Sequence, residues 1–330
     1  MRMMLLPLAA LALSGQAPAP SPAPKVLAPS EIVAAAPAAD WVAIAPSDLL
    51  VMDLAPDRDG NKRRVVIQLM PPPFSQGWVG NIRKLAAARF WDGTSINRVQ
   101  DNYVVQWGDA NAEDKTKAKV LPGGLVTVPE QNYLFAPSPA PVVHPDRVTL
   151  SGSPDRALLA RSAWSARPDT YAAGTRFFAG WPVAMDDLDI AFARVWPVHC
   201  YGMVGVGRNL SPDTGTGAEL YTVIGHAPRH LDRNIALVGR VISGIENLSS
   251  LPRGTGALGF YEKPEQRVTI TSIRLGNEVA GLPRYQYLST ESATFARYAD
   301  ARANRRDAFF IVPAGGADIC NIPVPVRVAK

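Results

Sequence analysis

The stretch "FWDGTSINRVQDNYVVQWGDA", residues 90–110, places a single arginine among apolar and amide side chains. Its alternation predicts two neighbouring β-strands, with Ile96 and Arg98 on the same side of the first. An always-charged guanidinium beside surface that favours burial needs a partner. Two kinds of partner fit the sequence: a carboxylate such as Asp101 or Glu219, or a substrate.

Short strands dominate the predicted structure on both sides of this stretch. The apolar runs at 49–54 and 63–69 are separated by the turn-forming "APDRDGNK", which predicts a hairpin. Residues 76–88 carry apolar side chains at helical spacing and predict one amphipathic helix. Further strands are predicted within 202–245 and at 267–275. Many short strands with few helices indicate a mainly β barrel or sandwich.

Residues 110–200 interrupt this pattern and predict a long surface insertion, because much of the segment is rich in Pro, Ser and Asp. Within it, "ALLARSAW" at 157–164 predicts a short helix. The runs "RFFAGWPVAM" and "LDIAFARVW" predict additional strands.

The segment 276–330 predicts a helical extension beyond the last strand. Thr290 is a suitable N-cap for its helix. The spacing of Phe295, Tyr298 and Arg302 puts these three side chains on one helix face.

The composition is that of a globular protein with a sizeable core. Of 330 residues, 47% are hydrophobic and 19% are charged. The 34 Lys and Arg exceed the 29 Asp and Glu by five, and this excess is spread along the chain without a basic block. Such a diffuse charge, with no recognition motif, predicts no nucleic-acid binding.

The N-terminus predicts an export signal at 1–17. Arg2 supplies a positive charge, an apolar run follows over 3–13, and small residues at 14–17 suit cleavage. The alternative is a disordered apolar tail. Residues 18–40 are rich in Pro and Ala and predict a tether. These features predict a periplasmic or secreted protein with no stable membrane span after signal removal.

The chain has two cysteines and no pattern of metal ligands. Cys200 and Cys320 either form one disulfide that closes a long loop, as an oxidising compartment favours, or remain two buried thiols. Pro228 lies between His226 and His230, so these two cannot share a regular helix face. No metal and no organic cofactor is predicted.

Three blocks of sequence resemble the cyclophilins, the peptidyl-prolyl cis–trans isomerases. In the first block, the residues that match the family's pattern are Phe90, Trp91, Asp92, Gly93, Thr94, Arg98, Tyr103, Gln106, Gly108 and Asp109. The second block is "NIRKLA" at 81–86. The third is "GTGAELYTVIGHAPRHLDRNIALVGRVISGIENL", so the resemblance spans about 46–275.

The resemblance implies a closed eight-stranded antiparallel barrel capped by two helices. The segments 76–88 and 243–250 are the candidates for these helices. A cyclophilin-like domain would then cover 41–275, with the 110–200 insertion inside it and the 276–330 extension after it.

The resemblance also implies roles for individual residues. Arg98 matches the family's catalytic arginine, and Gln106 matches the glutamine that orients it and contacts the substrate carbonyl. The residues at substrate-binding positions are Tyr103, Val104, Gly207, Arg208, Glu219, Tyr221, Leu231 and Asn97.

Several positions of this site depart from the family, and one of them is a rim position that Arg229 or His230 occupies. Asn97 and Ile235 each stand where the family has a histidine, and Glu219 replaces a glutamine. Trp107 replaces a glycine and is expected to add bulk beside Gln106. An ion pair between Glu219 and the neighbouring arginine would hold the guanidinium back from a substrate.

Two functions follow. The first is an isomerase that accelerates Xaa-Pro isomerisation during folding of exported proteins, with Arg98 stabilising the twisted imide. Its partners would be Pro-containing polypeptides or unfolded exported proteins. The alternative is a catalytically weak or inactive cyclophilin-like module that binds Pro-containing segments or a partner protein.

Overall fold

Strands form most of the regular structure of the protein. A computed structural model describes residues 26–136, 140–144, 147–151, 161–166, 169–189 and 192–329. The strands of this part are β1 Trp41–Ala43, β2 Leu49–Leu54, β3 Arg63–Leu69, β4 Ser95–Val99, β5 Val104–Gly108, β6 Ala140–His144, β7 Arg147–Ser151, β8 Ser165–Ala166, β9 Gly174–Phe178, β10 Trp181–Met185, β11 Val195–Pro197, β12 Met203–Val206, β13 Leu220–Val223, β14 Leu237–Ser243, β15 Val268–Leu275, β16 Tyr285–Leu288 and β17 Val326–Val328. Its α-helices are α1 Pro29–Ala34, α2 Gln76–Ala87, α3 Glu246–Ser249 and α4 Ala293–Ala303.

Eight of these strands close into an antiparallel barrel. Around the barrel the order is β12, β13, β5, β4, β15, β2, β3 and β14, and β14 pairs back onto β12. The predicted hairpin is confirmed, since β2 and β3 pair from Leu49 opposite Gln68 to Leu54 opposite Arg63. The fold class is therefore the predicted mainly β barrel, with two of its strands, β4 and β5, contributed by the stretch 90–110.

Two helices pack against the barrel. The helix predicted at 76–88 is confirmed as α2, and its buried face includes Trp78 and Leu85. The Trp78 indole donates to the Thr214 carbonyl at 3.1 Å, which fastens the helix to the loop before β13. The second predicted helix, around 243–250, is the single turn α3. Among the described residues, no helix is long and apolar enough to cross a bilayer.

The strands predicted at "RFFAGWPVAM" are confirmed, but residues 174–198 are largely buried rather than part of a surface insertion. Strands β9 and β10 form a fully buried hairpin, and with β8 and β11 they complete a four-stranded sheet. Phe177, Trp181 and Trp196 are among the largest fully buried side chains. These aromatic residues supply the apolar area that lets the sheet pack, despite the Pro and Ser around it. The helix predicted at 157–164 lies mostly outside the described residues.

A buried arginine joins the barrel to this sheet. Arg240, on β14, donates from Nε to Gln68 Oε1 at 2.9 Å and from Nη1 to the Gly180 carbonyl at 2.7 Å. Its guanidinium carbon lies 4.5 Å from the ring centroid of Trp181 and 5.7 Å from that of Tyr287. Burial lowers the pKa of Arg240 to about 10, so the side chain stays charged at neutral pH. The hydrogen bonds and the two aromatic rings thus compensate for the hydration that the guanidinium loses on burial.

The extension shares a sheet with residues near the N-terminus. In this sheet β16 pairs with β1 on one side and β17 on the other. Residues 26–40 do not form the tether predicted for 18–40, since α1 packs against α4 and buries Ile32. Burial of Ile32 against a neighbouring helix stabilises an ordered conformation of this segment. The Pro and Ala content of the sequence does not reveal this contact. The predicted signal at 1–17 lies outside the described residues.

Helix α4 uses a later N-cap than the sequence predicts. Ser292 Oγ accepts the Phe295 N–H at 3.0 Å, and Ser292 is therefore the cap. Thr290, the predicted cap, instead accepts the Gly180 N–H at 3.1 Å and so joins the extension to the turn between β9 and β10. The predicted apolar face is right for Phe295 and Tyr298, which are both buried.

A disulfide fastens the extension to the barrel. It joins Cys200, just before β12, to Cys320, which follows 120 residues later. Of the two alternatives that the sequence leaves open, the structure has the bonded pair rather than two thiols.

Replacing Cys320 by serine should lower the free energy of unfolding by about 4 kcal/mol, because a cross-link across a long loop restricts the unfolded chain. Urea unfolding of the oxidised protein and the variant measures the difference. Cys200→Ser and the double variant are the matched controls and should lose the same amount, since each removes the same bond. Equal stability of the Cys320→Ser variant and the oxidised protein would contradict the prediction.

An ion pair anchors the turn that precedes β4. The two Nη atoms of Arg274, on β15, donate to the Asp92 carboxylate at 2.7 and 2.6 Å. This bidentate pair ties the start of the stretch 90–110 to the neighbouring barrel strand. The bond from Arg274 lowers the pKa of Asp92 below its usual value.

Asp92→Asn should lower the free energy of unfolding by about 1 kcal/mol at pH 7. The folded-state pKa of Asp92 is the lower one, so the pair stabilises the protein above the unfolded carboxyl's pKa and stops doing so as pH falls through the folded value. The difference between protein and variant should therefore shrink below about pH 4. Urea unfolding across pH measures it, with Asp59→Asn, an exposed carboxylate, as the control. A difference that stays constant down to pH 3 would contradict the prediction.

Candidate active site

Three adjacent barrel strands bring the predicted functional residues together. Arg98 on β4 lies opposite Gln106 on β5, and Gln106 lies opposite Tyr221 on β13. The pairing shifts between Ile96 and Arg98, which marks a β-bulge in β4. The prediction that these two residues share a side is therefore wrong: Ile96 lies in the barrel core, whereas Arg98 lines a pocket.

A glutamine links Arg98 to a half-buried carboxylate. Arg98 Nη1 donates to Gln106 Oε1 at 2.9 Å, and Gln106 Nε2 donates to Glu219 Oε1 at 2.8 Å. The amide orientation of Gln106 is thereby fixed, since its oxygen faces a donor and its nitrogen an acceptor. This relay takes the place of the direct ion pair between Arg98 and Glu219 that the sequence allowed. Asp101, the other candidate partner, pairs with Arg253 at 2.9 Å.

Four further groups hold the guanidinium. Arg98 Nε donates to the Leu258 carbonyl at 2.6 Å, and Nη2 donates to Gln100 Oε1. The ring centroids of Tyr103 and Phe260 lie 5.7 and 5.4 Å from the guanidinium carbon. Together these contacts fix the plane of the guanidinium.

A pocket of about 120 Å³, here called the Arg98 pocket, opens beside this group. Its lining consists of Arg98, Tyr103, Val104, Gln106, Gly207, Arg208, Tyr221, Leu231 and Ile235. The resemblance placed all nine of these residues at the site, Ile235 through its match to a family histidine. Val104 and Tyr221 pack together with Tyr103 and Ile235 as an apolar cluster. The Arg98 pocket therefore combines an apolar wall with a charged and amide-bearing edge.

Asn97 and Glu219 line a neighbouring cavity of about 420 Å³ rather than the Arg98 pocket itself. The two spaces share Arg98. The Asn97 side chain is engaged within the barrel, because its Oδ1 accepts from Ser95 Oγ at 2.7 Å and its Nδ2 donates to the Gly108 carbonyl at 3.2 Å. These bonds give Asn97 a structural role in the barrel beside the site.

Comparison with known proteins identifies the family. The model of the family described as "Cyclophilin type peptidyl-prolyl cis-trans isomerase/CLD" matches residues 61–275. The chain belongs to this family. It is a cyclophilin-type peptidyl-prolyl cis–trans isomerase.

A solved cyclophilin structure shares this fold at low sequence identity. The cyclophilin AquaCyp293 from Hirschia baltica is 20% identical, with a TM-score of 0.58 over 88% of this chain and 94% of that chain. A cyclophilin-type isomerase from Cryptosporidium parvum, solved in the presence of the dipeptide Ala-Pro, is 12% identical, with a TM-score of 0.35 over 68% of this chain and 98% of that chain. No curated protein sequence matches the chain significantly.

In this cyclophilin, position 207 must be a glycine for Glu219 to sit where it does. A Cβ on Gly207 would lie 2.9 Å from Glu219 Cγ. The Gly207 N–H also donates to the Glu219 carbonyl at 2.8 Å, and this bond keeps the two backbone segments close together. A side chain at 207 would therefore push the carboxylate away from Gln106.

Trp107 does not crowd the Arg98 pocket as the sequence suggested. It is fully buried and belongs to the barrel core. Successive residues of a strand point to opposite faces, so Trp107 faces inward where Gln106 faces the pocket. The glycine-to-tryptophan replacement is a change of core packing.

The sequence did not identify Gln100, Leu258 or Phe260 as neighbours of Arg98. The segment 253–260, "RGTGALGF", is rich in glycine but carries no motif that assigns it to the site. Leu258 is 160 residues away from Arg98 along the chain, and no local pattern indicates such a contact.

Burial shifts the pKa values of Arg98 and Glu219 in opposite directions. It lowers the pKa of Arg98, an effect that Tyr103 and Glu219 oppose. It raises the pKa of Glu219, although the hydrogen bond from Gln106 works against this rise. Burial also raises the pKa of Tyr221 well above its usual value, so this hydroxyl keeps its proton at neutral pH.

Glu219→Gln should stabilise the protein at pH 7. Burial raises the pKa of Glu219 in the folded state, so the folded form disfavours the ionised carboxylate, and this cost is absent below the unfolded carboxyl's pKa. Glutamine keeps an oxygen that can accept from Gln106. The urea midpoint of the variant should exceed that of the protein at pH 7, and the gain should vanish near pH 4. Glu265→Gln, at an exposed position, is the control, and a variant less stable at pH 7 than the unmodified protein would contradict the prediction.

Proposed function

We propose that Arg98 catalyses Xaa-Pro exchange by donating a hydrogen bond to the imide nitrogen as the bond twists. The barrier of about 18–20 kcal/mol arises from resonance that shortens the C–N bond. In the twisted state this resonance is lost and the nitrogen gains a lone pair. A donor aimed at that nitrogen is favoured only in the transition state, which is the condition for raising the rate.

The hydrogen bonds of Arg98 support this role. A guanidinium carries five N–H groups. Three of them bond to Leu258, Gln106 and Gln100, so two remain for a substrate when the bonds to described residues are counted. Because these three bonds already fix the guanidinium, little reorganisation is needed as the imide twists.

Gln106 supports the same reaction from the adjacent strand. One hydrogen of its Nε2 goes to Glu219. Among the described residues, its second hydrogen has no acceptor, so it can meet the carbonyl oxygen of the residue before proline. Glu219 is then a positioning residue, because it fixes which side of the amide faces the Arg98 pocket.

The apolar wall suits the proline ring. Val104, Tyr221 and Leu231 line the Arg98 pocket together with the Tyr103 ring. A saturated ring gains free energy from leaving water for such a wall. The pocket therefore selects proline by apolar fit, while its polar edge meets the imide.

Pro-containing segments of exported proteins are the substrates that we propose, in a periplasmic or secreted location. Two observations support this. The residues 1–17 have the pattern of an export signal. The Cys200–Cys320 disulfide is of a kind that persists in oxidising compartments.

Arg98→Ala should lower kcat/KM for a short Ala-Pro peptide by about 100-fold, as the loss of one positioned donor does in other enzymes. NMR exchange spectroscopy of the peptide measures the rate, and an NMR titration measures binding separately. Arg98→Lys keeps a charge but loses the planar fork, and should recover only part of the activity.

Arg58→Ala, at an exposed position, is the matched control and should leave the rate unchanged. A folded Arg98→Ala variant with full activity would refute the role of Arg98. If the unmodified chain binds the peptide without accelerating exchange, the proposed catalytic role fails and a binding module remains.

A further inference from the structure

A chain of buried polar side chains leads away from the Arg98 pocket. Tyr221 Oη lies 2.8 Å from His199 Nε2, and His199 Nδ1 lies 2.8 Å from Asp232 Oδ1. A carboxylate only accepts hydrogen bonds, so Nδ1 is the donor to Asp232. In the neutral ring Nε2 then accepts the hydrogen of the Tyr221 hydroxyl. His199 is fully buried, so both of its ring nitrogens depend on these two partners.

The chain continues through an arginine. Arg229 Nε donates to Asp232 Oδ2 at 2.7 Å. Its two Nη atoms donate to the Asp169 carboxylate at 3.1 and 2.9 Å. The side chains of Arg229 and Asp232 are each 2% exposed, and that of Asp169 is 6% exposed. Displacing any of these three side chains would leave a buried charge without its partner, which costs free energy. The positions of Arg229, Asp232 and Asp169 are therefore tightly coupled.

These hydrogen-bonded side chains, here called the Tyr221 network, come from separate segments of the polypeptide. The network consists of Tyr221, His199, Asp232, Arg229 and Asp169. Asp169 belongs to the insertion. Asp318 of the extension lies 3.6 Å from Arg229, and His199 directly precedes the disulfide-bonded Cys200. The insertion and the extension therefore both reach the back of the Arg98 pocket.

Two wall residues of the Arg98 pocket depend on the Tyr221 network. Leu231 lies between Arg229 and Asp232 along the chain, and the bond between the side chains of those two residues holds this turn. The Tyr221 hydroxyl reaches His199 only because position 205 is a glycine, since a Cβ there would lie 2.3 Å from that hydroxyl oxygen. The network thus holds the Tyr221 hydroxyl and the turn Arg229–Leu231, which carry two of the wall residues suited to contact a proline ring.

We propose that the Tyr221 network sets the affinity of the Arg98 pocket for its substrate, with Asp169 of the insertion as a positioning residue outside the pocket. The inference rests on the proposed function of the pocket. It gives the insertion a role in substrate binding: this segment holds the tyrosine and the leucine in the positions that fit a ring.

The test compares Asp169→Asn with Asp186→Asn. Both residues belong to the insertion and both pair with an arginine, but Asp186 pairs with the exposed Arg194 at 2.6 Å, away from the Tyr221 network. Asp169→Asn should raise KM and the dissociation constant for an Ala-Pro peptide about 10-fold with kcat nearly unchanged, as expected for one disturbed buried contact. Asp186→Asn should change neither. A purely structural role for Asp169 would lower the melting temperature and leave KM of the folded protein unchanged, and that result would overturn the inference.

Tyr221→Phe decides the matter if Asp169→Asn does not fold, because it removes only the hydroxyl. It should raise KM because it disconnects Tyr221 from His199, and adding Asp169→Asn should raise KM by less than it does in the unmodified protein, since only the turn that carries Leu231 remains to be disturbed. Unchanged KM in the folded Tyr221→Phe protein, or additive effects in the double variant, would overturn the inference while leaving the proposed function in place. Failure of the unmodified chain to bind the peptide would overturn both.

Discussion

The pairing register of three barrel strands is the constraint on which the site depends. Arg98 on β4 faces Gln106 on β5, which faces Tyr221 on β13. A slip of one residue would turn every side chain of a strand to its other face. Barrel closure opposes such a slip, because each of the eight strands is bonded to a neighbour on both sides. The bulge after Ile96 adds one residue to β4 without changing the strand order of the barrel. This extra residue turns the Arg98 side chain from the core to the pocket.

Buried arginines extend this constraint to the segments outside the barrel. Arg240 bonds a barrel glutamine and a carbonyl of the insertion sheet, and its charge lies against Trp181. Arg229 joins a carboxylate near the barrel to Asp169 of the insertion. Apolar contacts tolerate small displacements, whereas a buried charge is costly unless its partners stay in place. The insertion and the extension are therefore held at defined positions relative to the Arg98 pocket.

Local sequence signals predict the hairpin of β2 and β3 and the helix α2, and the family pattern predicts the nine lining residues of the Arg98 pocket. The failures have physical causes. The order of residues 26–40 depends on the burial of Ile32 against a helix from the other end of the chain. The contact of Leu258 with Arg98 spans 160 residues and leaves no periodic trace. His199 has no spacing that marks it as a partner of Tyr221, because the two meet only when the barrel forms.

The central claim is that Arg98, oriented by Gln106, meets the imide of a proline whose ring lies in the Arg98 pocket. A crystal structure of the unmodified protein with an Ala-Pro peptide tests it most directly. The account predicts the proline ring against Tyr221 and Leu231, an Arg98 Nη atom within hydrogen-bond distance of the prolyl imide group, and the Gln106–Glu219 bond intact. A peptide bound elsewhere, or a guanidinium turned away from a proline that does occupy the pocket, would contradict the account.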